Sequence, residues 1–164
     1  MTHEADVAVE EAEEAAGQPR TVEHEYTLNW APILKHLGAS LLVSTYQAGK
    51  VVVVNFWATW CVPCIQEIPS FNKLHKEFGG QGVAVVGVSM DEEGAERVQP
   101  FLKKHPMEYT VALGSPEMNQ QYKLDSLPVT LVFDRSGKQV KRFEGFLKED
   151  DLQAAVKQAL APKI

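Results

Sequence analysis

The sequence predicts an α/β fold in which a central mixed β-sheet is flanked by helices on both faces. Two observations carry this prediction. Apolar spacing alternates between strand and helix in the order β-α-β-α-β over residues 51–113, and a β-hairpin followed by a helix closes the chain. With 45% hydrophobic residues among 164, the chain can bury a core of ordinary size without disulfide staples.

The first strand and the first helix have the clearest pattern. Val51–Trp57 is an unbroken β-branched and aromatic run, which is typical of a buried central strand. After it, apolar residues recur at steps of three or four from Cys64 to Phe78, which predicts an amphipathic helix that starts near Cys61. Pro69 lies inside this helix and is expected to kink it.

The remaining elements follow from the same two signals. β-branched and aromatic runs indicate strands, and apolar residues at helical spacing indicate helices. Asp-Arg-Ser-Gly at 134–137 separates two strand-like runs and indicates a hairpin turn. In order, the predicted elements are a strand at 83–88, a helix at 94–104, a strand at 109–113, a helical turn at 116–122, strands at Val129–Phe133 and Gln139–Glu144, and a helix at 150–160.

The chain divides into three segments. Residues 1–25 hold eight acidic residues against a single arginine, and we expect a disordered acidic tail that either aids solubility or docks onto a partner. Residues 26–49 mix helical and strand spacings, from which we predict a short helix at 31–37 and a strand at 40–46. The main domain is expected to span residues 50–164.

Charge and hydropathy exclude two classes of partner. The formal net charge is −6, and the acidic first segment accounts for it, so the rest of the chain is close to neutral. Such a surface cannot neutralise several phosphates, and we expect no nucleic-acid binding.

No apolar run approaches the roughly 18 residues of a membrane span, and no secretory signal is visible. We therefore expect no membrane span and a cytoplasmic location, or a periplasmic one if a leader has been removed.

Cys61 and Cys64 are the only cysteines, and they form a Cys-Val-Pro-Cys motif. Such a pair is either redox-active or half of a metal site. A zinc site within one chain needs a second pair of cysteines or histidines, and the five histidines are scattered singly. We therefore expect a redox pair and no metal, with a zinc-bridged dimer or transient copper capture as open alternatives.

The position of the pair predicts its chemistry. At a helix N-terminus, the macrodipole and the free backbone N–H groups stabilise the thiolate of Cys61, and thiolate is the nucleophile in disulfide exchange. Cys64, one turn into the helix, is expected to be less exposed and to resolve the mixed disulfide. Pro63 has no N–H to lose in the first turn and holds the two sulfurs close enough to bridge.

The pair belongs to the first of three motifs in the chain. They are Val-Asn-Phe-Trp-Ala-Thr-Trp-Cys-Val-Pro-Cys at 54–64, the glutamate and proline at Glu67 and Pro69, and Leu-Pro-Val-Thr at 127–130. On these motifs, the segment 50–160 resembles the thioredoxin-fold thiol–disulfide oxidoreductases, in the TlpA- and ResA-like branch. The resemblance implies a three-layer thioredoxin-like fold, protein disulfides as substrates, an external thiol reductant and no bound cofactor.

The resemblance also implies which residues meet the substrate. Pro128 is expected to be cis and to face the disulfide, rather than merely to open a strand, and Leu127 is expected to offer its backbone to a substrate strand. Trp60 and Pro63 are expected to contact substrate at the active-site surface. Trp57, by contrast, is expected to lie in the core.

One position departs from ordinary thioredoxins. They carry a buried aspartate just before Phe-Trp, where this chain has Asn55, so that acid–base group is missing. The resemblance makes Glu67 the replacement candidate for proton transfer. The alternative is that Glu67 is a surface residue that stabilises the helix dipole. Residues 26–49 also do not follow the lead-in of this branch.

The leading functional prediction is a monomeric enzyme that reduces protein disulfides by Cys61 attack and Cys64 resolution. Two alternatives stay open: a non-catalytic redox sensor or interaction module with the same fold, and a thiolate metal-binding protein. A peroxidase is a weaker interpretation, because those relatives place a lone attacking cysteine ahead of a distant resolving one.

Overall fold

The computed structural model describes residues 49–162, which form a mixed five-stranded sheet with helices packed on it. The predicted acidic tail, the helix at 31–37 and the strand at 40–46 lie outside these residues. In chain order the elements are β1 (Val51–Trp57), α1 (Val62–Phe78), a 3-10 turn (Gly79–Gln81), β2 (Val83–Ser89), α2 (Ala95–Lys104), β3 (Thr110–Leu113), α3 (Glu117–Gln121), β4 (Val129–Phe133), β5 (Gln139–Glu144) and α4 (Glu149–Leu160). Every element predicted from residue 51 onwards is present.

β1 lies at the centre of the sheet, whose strand order is β3-β2-β1-β4-β5. It pairs in parallel with β2, from Val51 opposite Val83 to Trp57 opposite Ser89, and antiparallel with β4. All of its residues are buried, as expected of a strand that is covered on both faces. The predicted mixed sheet is confirmed, and the chain leaves its central strand directly into the loop that carries the cysteines.

The side chains of β1 point alternately to the two faces of the sheet and into two separate cores. Val51, Val53 and Trp57 belong to the core that also contains side chains of α1, α2 and α4. Val52 and Val54 belong to a second core, which includes α3. Helices therefore cover both faces of the sheet, as the sequence predicts.

α1 begins directly after the loop that leaves β1. Cys61 is its N-cap residue, with the extended backbone angles φ −92° and ψ 103°, and Pro63 lies in the first turn, where no N–H partner is needed. The helix passes through Pro69 and ends at Phe78. Its buried face carries Cys64, Glu67, Ile68, Phe71, Leu74 and Phe78.

The β4–β5 hairpin is present at the predicted turn. The Asp134 carboxylate accepts hydrogen bonds from the backbone N–H groups of Ser136 at 2.9 Å and Lys138 at 3.1 Å. Gly137 has φ +83°, a left-handed conformation that favours glycine. These side-chain bonds to nearby backbone are the local chemistry that turn sequences of this kind provide.

Candidate active site

The two cysteines form a disulfide at the junction of β1 and α1. The Cys61–Cys64 bridge joins Cα atoms 5.2 Å apart, and the backbone N–H of Cys64 donates to the sulfur of Cys61 at 3.3 Å. Both residues are buried, Cys61 at 4% and Cys64 at 2% exposure. A donor aimed at the first sulfur, at the positive end of a helix, favours negative charge on that sulfur when the bridge opens. The predicted placement of Cys61 at the helix N-terminus is confirmed.

Glu67 is a buried carboxyl group on the same helix, one turn beyond Cys64. It is only 1% exposed, so it is not the dipole-stabilising surface residue that the sequence left as an alternative. One carboxyl oxygen accepts from the backbone N–H of Leu147 at 2.6 Å, and the other from the side-chain amide of Asn55 at 3.3 Å. Burial raises the pKa of Glu67 to about 7, although these two hydrogen bonds work in the opposite direction.

Asn55 connects this carboxyl group to the sheet. It lies in β1 at 3% exposure, and its amide nitrogen donates to Glu67 and, at 3.1 Å, to the hydroxyl of Thr130 on β4. The position where thioredoxins carry their aspartate is thus in direct contact with Glu67. The chain keeps an acidic group in this buried region but supplies it from α1 instead of β1.

The loop before β4 contains the Leu127–Pro128 peptide bond, which is cis, as the resemblance implies. Phe56 pairs with Val129, and continuing that register places Pro128 beside Trp57, at the end of β1 from which the cysteine loop departs. The carbonyl of Pro128 accepts from the N–H of Gly145 at 2.9 Å. Within residues 49–162 the backbone of half-buried Leu127 has no hydrogen-bond partner.

Exposed apolar side chains surround this region. Trp60 is 66% exposed, Val62 is 63% exposed and Phe146 is 53% exposed. Trp57 is 1% exposed, in the core as predicted. Sequence reasoning missed Phe146, which lies between the residue bonded to Pro128 and the residue bonded to Glu67. The sequence offered one signal for Phe146, because it is an aromatic residue in the predicted loop between the last strand and the last helix.

A second buried acid holds the loop that precedes Cys61. Asp91 is 6% exposed and accepts from the backbone N–H of Thr59 at 3.0 Å, from its hydroxyl at 2.6 Å and from the hydroxyl of Ser89 at 2.8 Å. The loop between β1 and α1 is therefore anchored to the end of β2. Sequence reasoning missed Asp91, because one acidic residue after a predicted strand is an ordinary observation.

Two kinds of feature are absent from the part of the chain that the structure describes. Within residues 49–162, no three metal-ligating side chains come together to hold an ion. Over the same range, no helix is both long enough and apolar enough to cross a membrane.

Comparisons with known proteins fit this geometry. The AhpC/TSA family matches residues 26–143, a range that includes the whole segment 26–49. The thiol–disulfide oxidoreductase ResA of Bacillus thuringiensis subsp. konkukian is 31% identical over 110 residues, which are 66% of this chain and 63% of that protein. The chain thus covers less than two thirds of the length of this curated relative.

Solved structures show the same fold. A thiol:disulfide interchange protein of the thioredoxin family from Chlorobium tepidum is 30% identical with a TM-score of 0.65, over 72% of this chain and 85% of that one. An exposed lipoprotein thioredoxin of Streptococcus pneumoniae is 25% identical with a TM-score of 0.63, over 70% and 88% of the two chains. The thioredoxin-like fold and the resemblance to the ResA-like branch are confirmed.

Proposed function

The chain belongs to the AhpC/TSA family, and from that premise we propose that it is a thiol–disulfide oxidoreductase that reduces disulfides in protein substrates. One observation carries the proposal: a bridged Cys61–Cys64 pair sits at a helix N-terminus with a backbone N–H on the first sulfur and a buried carboxyl group, Glu67, one turn further on. The ResA and interchange-protein relatives support the same chemistry.

The first step is attack by the reduced pair. The Cys61 thiolate displaces one sulfur of a substrate disulfide, which leaves as a thiolate, and a mixed disulfide joins Cys61 to the substrate. The N–H of Cys64, 3.3 Å from the Cys61 sulfur, supports the thiolate before attack. We assign Cys61 the role of nucleophile because its sulfur accepts the hydrogen bond from the backbone N–H of Cys64.

The second step releases the substrate. Cys64 loses its proton, attacks the Cys61 sulfur and expels the second substrate sulfur, so the substrate gains two electrons and the pair is bridged again. We assign Glu67 the role of accepting the Cys64 proton. Residues three apart on a helix are neighbours, and a carboxyl group with a pKa of about 7 can take up and return a proton at neutral pH. An external thiol reductant must then reopen the bridge.

Substrate contact falls to the residues around the bridge. The unpaired backbone groups of Leu127 suit an extended substrate segment, because main-chain hydrogen bonds to an added strand supply affinity without sequence requirements. Cis Pro128 fixes this loop beside the end of β1. Exposed Trp60 and half-buried Pro63, which flank Cys61 in the chain, offer apolar surface.

Insulin reduction with a recycling thiol reductant tests the proposal. We expect many turnovers per protein molecule for the native chain, and none for Cys61→Ser. Reduced Cys64→Ser, mixed with insulin after the reductant has been removed, is expected to accumulate one mixed disulfide per molecule, seen as a non-reducing gel shift. Stoichiometric oxidation without turnover would instead support a redox sensor, and thiolate metal binding that blocks alkylation would support the metal-binding alternative.

The direction of electron flow is tested by equilibrating the pair in glutathione and dithiothreitol buffers. We propose a potential near that of thioredoxin, about −270 mV, and not near that of DsbA, about −120 mV. A value at the DsbA end would replace the reductase with an oxidant.

Two further proposals concern the molecule as a whole. We propose a monomer, checked by light scattering on the eluted protein. The pneumococcal neighbour is an exposed lipoprotein, and this favours the periplasmic alternative over the cytoplasm for the present chain. Cell fractionation with an antibody to the chain tests that choice, since recovery with cytosolic marker proteins would reverse it.

A further inference from the structure

A groove lies between the cysteine loop and α2. Its volume is about 320 Å³, and Thr59 and Trp60 line one side. The α2 residues that line the other side recur at helical spacing and so share one helix face. We call this the α2 groove; it is lined by Thr59, Trp60, Glu96, Arg97, Pro100, Phe101, Lys104 and His105.

The apolar part of the α2 groove is fixed by contacts to the core. The Phe101 ring lies 5.4 Å from the ring of buried Trp57 and stacks on His105 at 4.5 Å. On the opposite side, Thr59 is held by its two hydrogen bonds to buried Asp91. Both sides of the groove are therefore positioned by buried residues and do not need substrate to form.

The charged part of the α2 groove is cationic. Arg97 and Lys104 lie one above the other on the helix face, and neither makes a salt bridge within residues 49–162. Among the described residues that line the groove, Glu96 is the single acid. The groove thus combines the exposed indole of Trp60, the residue that precedes Cys61, with an apolar surface and with two cations that form no salt bridge among the described residues.

From these observations we infer that the α2 groove binds a segment of the substrate protein next to the attacked disulfide, and that it selects segments carrying a carboxylate. The inference rests on the proposed function and adds a preference to it. Apolar side chains of the segment pack on Trp60 and Phe101, while an Asp or Glu a few residues from the cysteine meets Arg97 and Lys104. Exposed charges at a binding surface of this kind determine which partner is chosen more than they raise the affinity for it.

The test uses two ten-residue peptides, each with one cysteine joined to a thionitrobenzoate leaving group. One peptide carries two aspartates near its cysteine, and the other carries asparagines at the same positions. Reduced full-length protein is mixed with an excess of each peptide, and the second-order rate constant of the single turnover is followed by the colour of the released thiolate. We expect the native protein to prefer the aspartate peptide by about 2- to 30-fold, from two exposed ion pairs of ordinary strength.

Three variants sharpen the result. Arg97→Glu combined with Lys104→Glu is expected to invert the preference, and Arg97→Gln combined with Lys104→Gln to remove it. Lys103→Glu is the matched control, since Lys103 is exposed on the same helix but does not line the groove. It should keep the native preference. Added salt should weaken the preference of the native protein, because exposed charges are screened.

The outcomes separate the two proposals. If the native protein fails to release thionitrobenzoate faster than Cys61→Ser from either peptide, the proposed function is wrong. If it reacts with both peptides without distinguishing them, or if both double variants keep the native preference, the carboxylate selection is wrong while the proposed function stands. A preference lost equally in Lys103→Glu would mean a general charge effect and would also overturn the groove assignment.

Discussion

Replacing Glu67 by glutamine is expected to change how the stability of the oxidised protein depends on pH. Burial raises the pKa of this carboxyl group from 4.5 to about 7, and the side chain is 1% exposed, so solvent does little to screen it. Between pH 4.5 and about 7, the carboxyl group of Glu67 keeps its proton in the folded protein, whereas in the unfolded chain the same group is ionised. The free energy of unfolding therefore falls as pH rises through this window.

The magnitude follows from the two pKa values. One pKa unit corresponds to about 1.4 kcal/mol, so ionising Glu67 in the folded protein costs about 3 kcal/mol once the pH exceeds 7. A glutamine side chain at this position would carry no such cost. Its oxygen can still accept from Leu147, and a flip of the Asn55 amide would let that residue accept from the new amide and from Thr130.

Urea unfolding at a series of pH values from 4 to 8.5 measures the effect. We expect the stability of Glu67→Gln relative to the native protein to increase by about 3 kcal/mol across this range, most of it between pH 5 and 7. Glu77→Gln, at an exposed position of the same helix, is expected to follow the native curve. A difference between Glu67→Gln and native protein that stays constant with pH would refute the buried-carboxyl argument.

Three other substitutions test the packing around the site, each by urea unfolding of the oxidised protein. Phe71→Ala should cost about 3–5 kcal/mol, because it empties a buried ring position in the main core; a loss below 1 kcal/mol would contradict its placement. Gly87→Ala should cost about 1–3 kcal/mol, since the new Cβ would lie 3.1 Å from the Trp57 indole nitrogen, while Gly80→Ala, with open space around it, should change stability by less than about 0.5 kcal/mol. Asp91→Asn should cost about 1–3 kcal/mol, because an amide cannot accept all three hydrogen bonds; native-like stability would show that the loop does not depend on this acid.

Local signals determine how much of the fold can be predicted. The unbroken β-branched run of β1 and the helical spacing of α1 are local, and the structure has both elements where the sequence places them. The position of Cys61 at the helix N-cap follows from the junction of the two. The strand order of the sheet was not predicted, because the antiparallel pairing of β1 with β4 joins residues more than seventy positions apart and no local signal specifies it.

Long-range contacts account for what the sequence left open. On sequence grounds Glu67 could be either buried or exposed, because the N–H that donates to its carboxyl group belongs to Leu147, 80 residues away. Asp91 escaped notice for the same reason: its importance comes from Thr59, 32 residues earlier in the chain. Both acids are recognisable only after the strands have brought their donors together.

The regular spacing of Cys61, Cys64 and Glu67 along one helix face has a consequence for how such proteins diversify. The proposed nucleophile, the proposed resolving thiol and the carboxyl group lie in one short, contiguous stretch, whereas the surfaces around them come from the loop before β4, the loop after β5 and α2. Mutations in those surrounding segments can change which partners are accepted without altering the spacing of the reacting groups. A library randomised only at Arg97, Lys104 and Phe146 would therefore explore new specificities on an intact reaction centre.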